Sequence, residues 1–355
     1  MANTTFTILG MTGSGKTCYL LGMFYKMSAG IKGYTITTDE DSEVELRNWY
    51  KRLADNSLGN DRFPAGTDSL SKYEFNLEYA YKKILSFSWM DYPGNMLDLK
   101  STGNVEDYNQ VKESILNSSC LFICIDGELL KGNDSEEKIN KIRDNCSGYL
   151  NPFFSELNNK HKLPPIAIVI TKYDLCNDDV KKEEDLIEII EEAFSSLFLD
   201  DGEHKKIVTI IPVSIGNNIN NESYHEKLKP LNIQLPIFMG IIFALKNELK
   251  KLYKNKLNCN NNYDDKIKSI QNEIDDEKWW WGWFQDKDKI RSLEKNLEEI
   301  KTIKYIEMKE RDRLNNLIQS VKNSQERLLK ELDKIPYIFV NGEKRESFSS
   351  VIKGE

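Results

Sequence analysis

The stretch Gly10-Met11-Thr12-Gly13-Ser14-Gly15-Lys16-Thr17 decides how the chain folds. It fits the pattern G-x-x-x-x-G-K-[ST], follows a strand-like run over residues 5–9 and opens a helical pattern over 16–28. Glycines at 10, 13 and 15 let a loop turn so that backbone N–H groups converge on phosphate oxygens at a helix N-terminus. Lys16 is expected to reach the β- and γ-phosphates of a bound nucleotide, and Thr17 to offer its hydroxyl to Mg²⁺. Thr12, Ser14 and Cys18 complete the expected phosphate-binding set.

Outward from this loop, short apolar runs alternate with longer helical stretches as far as residue 245. Strands are expected at 5–9, 73–80, 84–90, 121–126, 166–170 and 207–213, several of them nearly continuous apolar runs, as in strands covered on both faces. Helices are expected at 16–28, 107–117, 136–158, 183–198 and 236–257. The alternation predicts an α/β fold, a mostly parallel sheet with helices on both faces.

Three further motifs stand at expected strand ends. Asp91-Tyr92-Pro93-Gly94 reads D-x-x-G: an acidic residue there can hold Mg²⁺ through water, and the glycine N–H three residues on can sense a γ-phosphate. An ordinary Pro-Gly turn is the plain alternative. Thr171-Lys172-Tyr173-Asp174 is similar to the N/T-K-x-D motif, in which an Asp carboxylate accepts two hydrogen bonds from guanine N1–H and N2–H₂, a donor pair that adenine lacks. Val213-Ser214-Ile215-Gly216 ends the next strand and resembles the short S-A-K-like loop with which GTPases approach guanine O6. Such sites gather at the C-terminal edge of a parallel sheet, where ligands of these folds bind.

In these four motifs the chain resembles the translation-factor-related (TRAFAC), Ras-like superclass of P-loop GTPases over roughly residues 4–245. Within it, the chain looks most like the bacterial double-GTPase or conflict-system GTPase-like domains, on Phe63-Pro64-Ala65-Gly66-Thr67, Asp91-Tyr92-Pro93-Gly94 and Pro230-Leu231-Asn232. The resemblance implies GTP/GDP and Mg²⁺ as ligands, with Thr171, Lys172, Asp174, Ser214 and Ile215 at the base and Gly94 at the γ-phosphate. It also implies a switch threonine ahead of the second strand that joins Thr17 and Asp91 at the metal. Thr67 fits that place, with Thr37 and Thr38 as rivals and a simple turn cap as the alternative. Many relatives place a glutamine after D-x-x-G to position the attacking water, whereas this chain has Asn95, one methylene shorter. With Lys16, Thr67 and Asn95 as the catalytic set, hydrolysis is expected to be slow unless a partner or dimerisation stimulates it.

Composition bounds the remaining choices. Across 355 residues, 49 Lys+Arg against 57 Asp+Glu give a net charge of −8, so broad attraction to nucleic acid or anionic lipid is not expected. Six scattered cysteines without a Cys-x-x-Cys pair, and only three histidines, read as reduced thiols in a cytoplasmic protein, not as a disulfide framework or zinc site. No secretory leader is expected ahead of the first strand. The longest apolar run, 235–245, is about half of the roughly 20 residues that a spanning helix needs.

Past residue 258 the pattern becomes wholly helical until residue 337. Ile267, Ile270 and Ile274 recur at helical spacing, and Ile290, Leu293, Leu297 and Ile300 resume it. Between them lie Trp279, Trp280, Trp281, Trp283 and Phe284, which hold four of the six tryptophans. The expected division is a nucleotide domain over 1–257, a helical hairpin or coiled-coil arm over 258–335 with its bend at 279–284, and a strand-and-turn tail over 336–355. Five consecutive charged residues between Met308 and Leu314 predict a bend or change of partner, against one continuous helix. The aromatic bend fits a protein partner or self-association, its own core, or a membrane contact like that of dynamin-like GTPases; its acidic flanks disfavour lipid. Together these features predict a GTP-controlled switch acting through the arm. The alternatives are a non-hydrolysing GTP-binding module in a defence complex and a membrane-touching GTPase.

Overall fold

The computed structural model describes residues 4–66, 70–94, 105–159, 163–176, 183–202, 205–216, 228–258, 263–280, 287–335 and 337–353. They form a mixed α/β structure with a mostly parallel central sheet and a long C-terminal helix. The strands are β1 (Thr4–Leu9), β2 (Tyr34–Thr37), β3 (Ser71–Tyr79), β4 (Lys82–Asp91), β5 (Ser118–Asp126), β6 (Ile166–Thr171), β7 (Ile207–Pro212), β8 (Ile338–Val340) and β9 (Glu343–Arg345). Their order is β2-β3-β4-β1-β5-β6-β7-β8-β9. The five strands from β4 to β7 run parallel, and antiparallel pairs flank them on either side.

Sequence explains this layering. β6 and β7 are buried at every position, as β-branched runs must be when helices cover both faces. Period-two alternation sends Leu121, Ile123, Ile125, Ile166, Ile168 and Ile170 to one face, where they pack with Phe153, Leu186 and Ile190. The other face carries Phe6 and Phe122, ring centroids 5.9 Å apart. Helix α1 (Lys16–Ser28) follows β1, and α2 (Glu40–Leu53) opens at Asp39, whose carboxylate accepts from Ser42 N at 2.9 Å. Further helices are α3 (Val105–Leu116), α4 (Ser135–Ile142), α5 (Gly148–Asn159) and α6 (Glu183–Ala193). The helix expected over 136–158 is two, joined by a π-helical segment, Arg143–Ser147. Helix α7 (Leu235–Asn258) comes so close to the sheet that a Cβ on Gly240 would stand 3.0 Å from Phe122 and 3.2 Å from Phe6.

Strand β2 and helix α2, neither of them among the elements expected from sequence, lie between α1 and β3. The chain divides into two compact units, Met1–Leu245 with Glu326–Glu355, and Lys246–Gln325. The boundaries expected from sequence are 257 and 335, and the pairing of β8 with β7 places the tail in the sheet. Within the second unit, α8 (Tyr263–Trp280) runs antiparallel to the first part of α9 (Lys287–Leu332). Tyr263 Oη donates to Glu307 at 2.7 Å and Lys278 Nζ to Glu294 at 2.9 Å, so early residues of α8 meet later ones of α9. Helix α9 is continuous through residues 308–314, and of the five charged residues there only Glu310 is half-buried, the others being exposed. Trp281, Trp283 and Phe284 lie outside the described residues, and only the backbone of Trp279 and Trp280 is placed, as the end of α8. No described helix is long and apolar enough to cross a membrane.

Candidate functional site

Strand β1 ends at Leu9, and residues 10–15 turn the chain into α1 through three glycines with positive φ, Gly10 at 150°, Gly13 at 82° and Gly15 at 80°. Crowding adds to the requirement at Gly10, where a Cβ would stand 2.6 Å from Ser14 Oγ and 2.7 Å from the Cys124 carbonyl oxygen. Lys16 is buried, and its Nζ donates to the carbonyl oxygens of Gly10 at 2.8 Å and Met11 at 3.2 Å. The ammonium therefore curls over its own loop. Burial holds Lys16 below its ordinary pKa, with Asp91 opposing that shift.

Asp91, the last residue of β4, is 2% exposed. Its Oδ2 accepts from Thr17 Oγ1 at 3.4 Å, and its Oδ1 is buried without a hydrogen-bond partner among the described residues. Burial pushes its pKa up to about 6, against the opposing pull of Lys16 and Thr17. A buried carboxylate with one idle oxygen beside a hydroxyl is a donor set suited to a hard divalent cation. Gly94 abuts the loop so closely that a Cβ would lie 2.0 Å from Thr12 N.

The base-motif residues converge on the neighbouring strand ends. Thr171 Oγ1 lies 2.7 Å from the Ser14 carbonyl oxygen and 3.0 Å from that of Ile125, tying the glycine loop to β5 and β6. Lys172 adopts a left-handed backbone, φ 48°, and its Nζ pairs with Asp126 Oδ2 at 2.6 Å. Ser214 Oγ donates to Asp174 Oδ1 at 2.6 Å, while Gly216 N donates to Ser214 Oγ at 3.0 Å.

Two of the cavities at this sheet edge adjoin one another. One, of about 250 Å³, is walled by Phe63, Lys172, Asp174, Ser214, Ile215 and Ile233. The other, of about 230 Å³, is walled by Thr12, Gly13, Lys16, Thr17, Gly94 and the segment from Phe63 to Gly66. Gly15, Cys18, Phe63 and Lys172 line both. Ser14 is a buried residue of the loop. The arrangement offers a slot lined mainly by apolar groups with the carboxylates of Asp174 and Glu128, joined to a polar slot under a helix N-terminus.

Thr67 and Asn95 lie outside the described residues. Their rivals have other partners, since Thr37 Oγ1 donates to Glu78 at 3.3 Å and Thr38 Oγ1 to the Glu74 carbonyl at 2.7 Å, and neither lines either of these two cavities. Sequence reasoning passed over Asp126 and assigned no role to Phe63. Asp126 ends β5 at the same sheet edge as the motifs, and that placement was the available signal.

No protein-family model matches the chain, and no curated protein matches it. Among solved structures, sup35 complexed with GDP is similar at a TM-score of 0.28 and 12% identity, over 64% of this chain and 42% of that one. The match thus spans less than half the length of that protein chain, and at this score it does not bear on what the present chain binds.

Proposed function

We propose that the chain is a guanine-nucleotide-binding switch of the P-loop GTPase type, with slow or partner-stimulated hydrolysis. The observation that carries this reading is the pair of adjoining cavities, one walled by the glycine loop with Lys16 and Thr17, the other by Lys172, Asp174 and Ser214. Their shared wall fits a ligand with a planar base at one end and phosphates at the other.

In this reading Lys16 leaves the carbonyl oxygens of Gly10 and Met11 for the β- and γ-phosphates, while loop N–H groups hold the remaining oxygens. Thr17 and Asp91 would hold Mg²⁺, which when bound neutralises phosphate charge. Asp174 accepts from guanine N1–H and N2–H₂, and the Ser214 hydroxyl fixes the carboxylate in place. Gly94 stands against Thr12, where displacement by a γ-phosphate is felt directly by the segment that follows. Transmission to the arm of residues 246–325, and a protein partner or second copy meeting it, belong to the same proposal.

Titration of the full chain with GTP, GDP and ATP in Mg²⁺, followed by a turnover assay, tests it. Guanine nucleotides are expected to bind tightly, with Asp174→Ala weakening them about ten- to a hundredfold. Tighter binding of ATP than of GTP would remove the assignment of Asp174. Turnover above about 1 s⁻¹ in the isolated chain would remove slow hydrolysis.

A further inference from the structure

Arg62 ends the turn Asn56–Arg62, which leads directly into the segment from Phe63 to Gly66 that lines the polar cavity. Its residue exposure is 4%, and its guanidinium carbon lies 5.1 Å from the centroid of the Phe63 ring, a wall of both cavities. One guanidinium nitrogen donates to Asn56 Oδ1, Nε is buried without a hydrogen-bond partner, and among the described residues no carboxylate pairs with the side chain. Buried cations are ordinarily offset by an anion, and a neutral amide does not provide one. Among the described residues, then, a buried guanidinium packs on Phe63, a wall of both cavities, and no carboxylate offsets its charge.

Resting on the nucleotide reading above, we propose that Arg62 binds the terminal phosphate of a nucleoside triphosphate, its guanidinium exchanging Asn56 for two non-bridging γ-phosphate oxygens. The planar fork of arginine matches two such oxygens, which a lysine ammonium cannot do. Two features permit the exchange. Gly59, at φ 54° and ψ −130°, breaks the turn and gives it a pivot. Gly66 lies against the loop, where a Cβ would stand 3.1 Å from Thr12 Cγ2, so the segment after Arg62 already abuts the phosphate-binding loop. A diphosphate lacks the oxygens that Arg62 takes, so the residue separates the two nucleotide states.

Calorimetric titration of the full chain with GTPγS and GDP in Mg²⁺ tests this. Arg62→Ala is expected to weaken GTPγS at least tenfold and GDP less than twofold, and Arg62→Lys to weaken GTPγS three- to tenfold. Asn56→Ala, which removes the resting partner of Arg62, is expected to leave GTPγS affinity equal or tighter. If Arg62→Ala does not fold, the lysine and Asn56 variants decide the matter. Equal losses for both nucleotides, an unchanged affinity in Arg62→Lys, or an Asn56→Ala loss like that of arginine removal would make Arg62 a turn staple and overturn the proposal. A wild-type chain that binds neither nucleotide takes the nucleotide reading down as well. One that prefers GTPγS, with an unchanged ratio in the arginine variants, removes the proposal alone.

Discussion

Lys172 and Asp126 are joined across two strand ends, Nζ to Oδ2 at 2.6 Å, although 46 positions separate them. The same carboxylate caps the following turn, its Oδ1 accepting from Glu128 N at 2.9 Å. One acidic residue thereby fixes both the lysine that flanks the proposed base slot and the turn beside it.

Removing that carboxylate frees the lysine stem. The pair is partly exposed, at 35% for Lys172 and 19% for Asp126, so solvent screening holds its worth to about 1 kcal/mol. Asp126→Ala is expected to weaken GTP and GDP alike by about five- to tenfold, and a titration showing unchanged affinity would dismiss the positioning role.

Asp91 sets a pH dependence in the nucleotide-free, metal-free protein. Its carboxyl is raised from an ordinary 3.8 to about 6, chiefly by burial, with Lys16 and Thr17 pulling the other way. A raised folded value means the fold favours the protonated acid. The contribution is full below about pH 4 and is lost as pH rises through about 6. Asp91→Asn keeps the neutral form at all pH values, so at pH 7 it is expected to gain about 2 kcal/mol over wild type in EDTA, and much less at pH 4. Parallel urea-denaturation profiles for the two proteins across this range would refute the assignment.

Gly94→Ala brings a methyl to 2.0 Å from Thr12 N and 2.5 Å from the Met11 carbonyl carbon, both rigid backbone atoms. Loop and strand end must separate, and affinity for GTP is expected to fall at least tenfold, with a stability loss of about 1–3 kcal/mol. Gly13→Ala meets no neighbour within 4 Å but must hold φ at 82°, so its cost is strain alone, about 1 kcal/mol. Equal affinity losses for the two variants would contradict this difference.

Cys18 is the sole thiol shared by the two cavities among the described residues, and burial pushes its pKa up to about 11 while Lys172 draws it down. Alkylation at pH 8 is expected to be slow, to rise about tenfold per pH unit, and to be blocked by bound GTP. Peptide mass mapping against Cys18→Ser reads the rate at this site. Labelling that GTP leaves unaltered would place the nucleotide elsewhere.

The loop and strand candidates were legible because their signals are local. Positive-φ glycines at 10, 13 and 15, and the β-branched runs of β6 and β7, announce backbone conformation within a few residues. Helix α2 was also readable, with Asp39 as cap and Leu46, Tyr50 and Leu53 buried at helical spacing. It was missed because its remaining positions are largely charged or polar. The segment Arg143–Ser147 gave no local sign of its π-helical geometry.

Sequence alone determined an α/β alternation, a glycine loop before a helix, and acidic residues at strand ends, since each depends on neighbours along the chain. Tertiary structure decided that the tail enters the sheet beside β7, that Asp126 meets Lys172, and that Arg62 is buried with no carboxylate partner among the described residues. Those are pairings between segments far apart in the chain, and their energies depend on burial and mutual distance, which no local pattern carries.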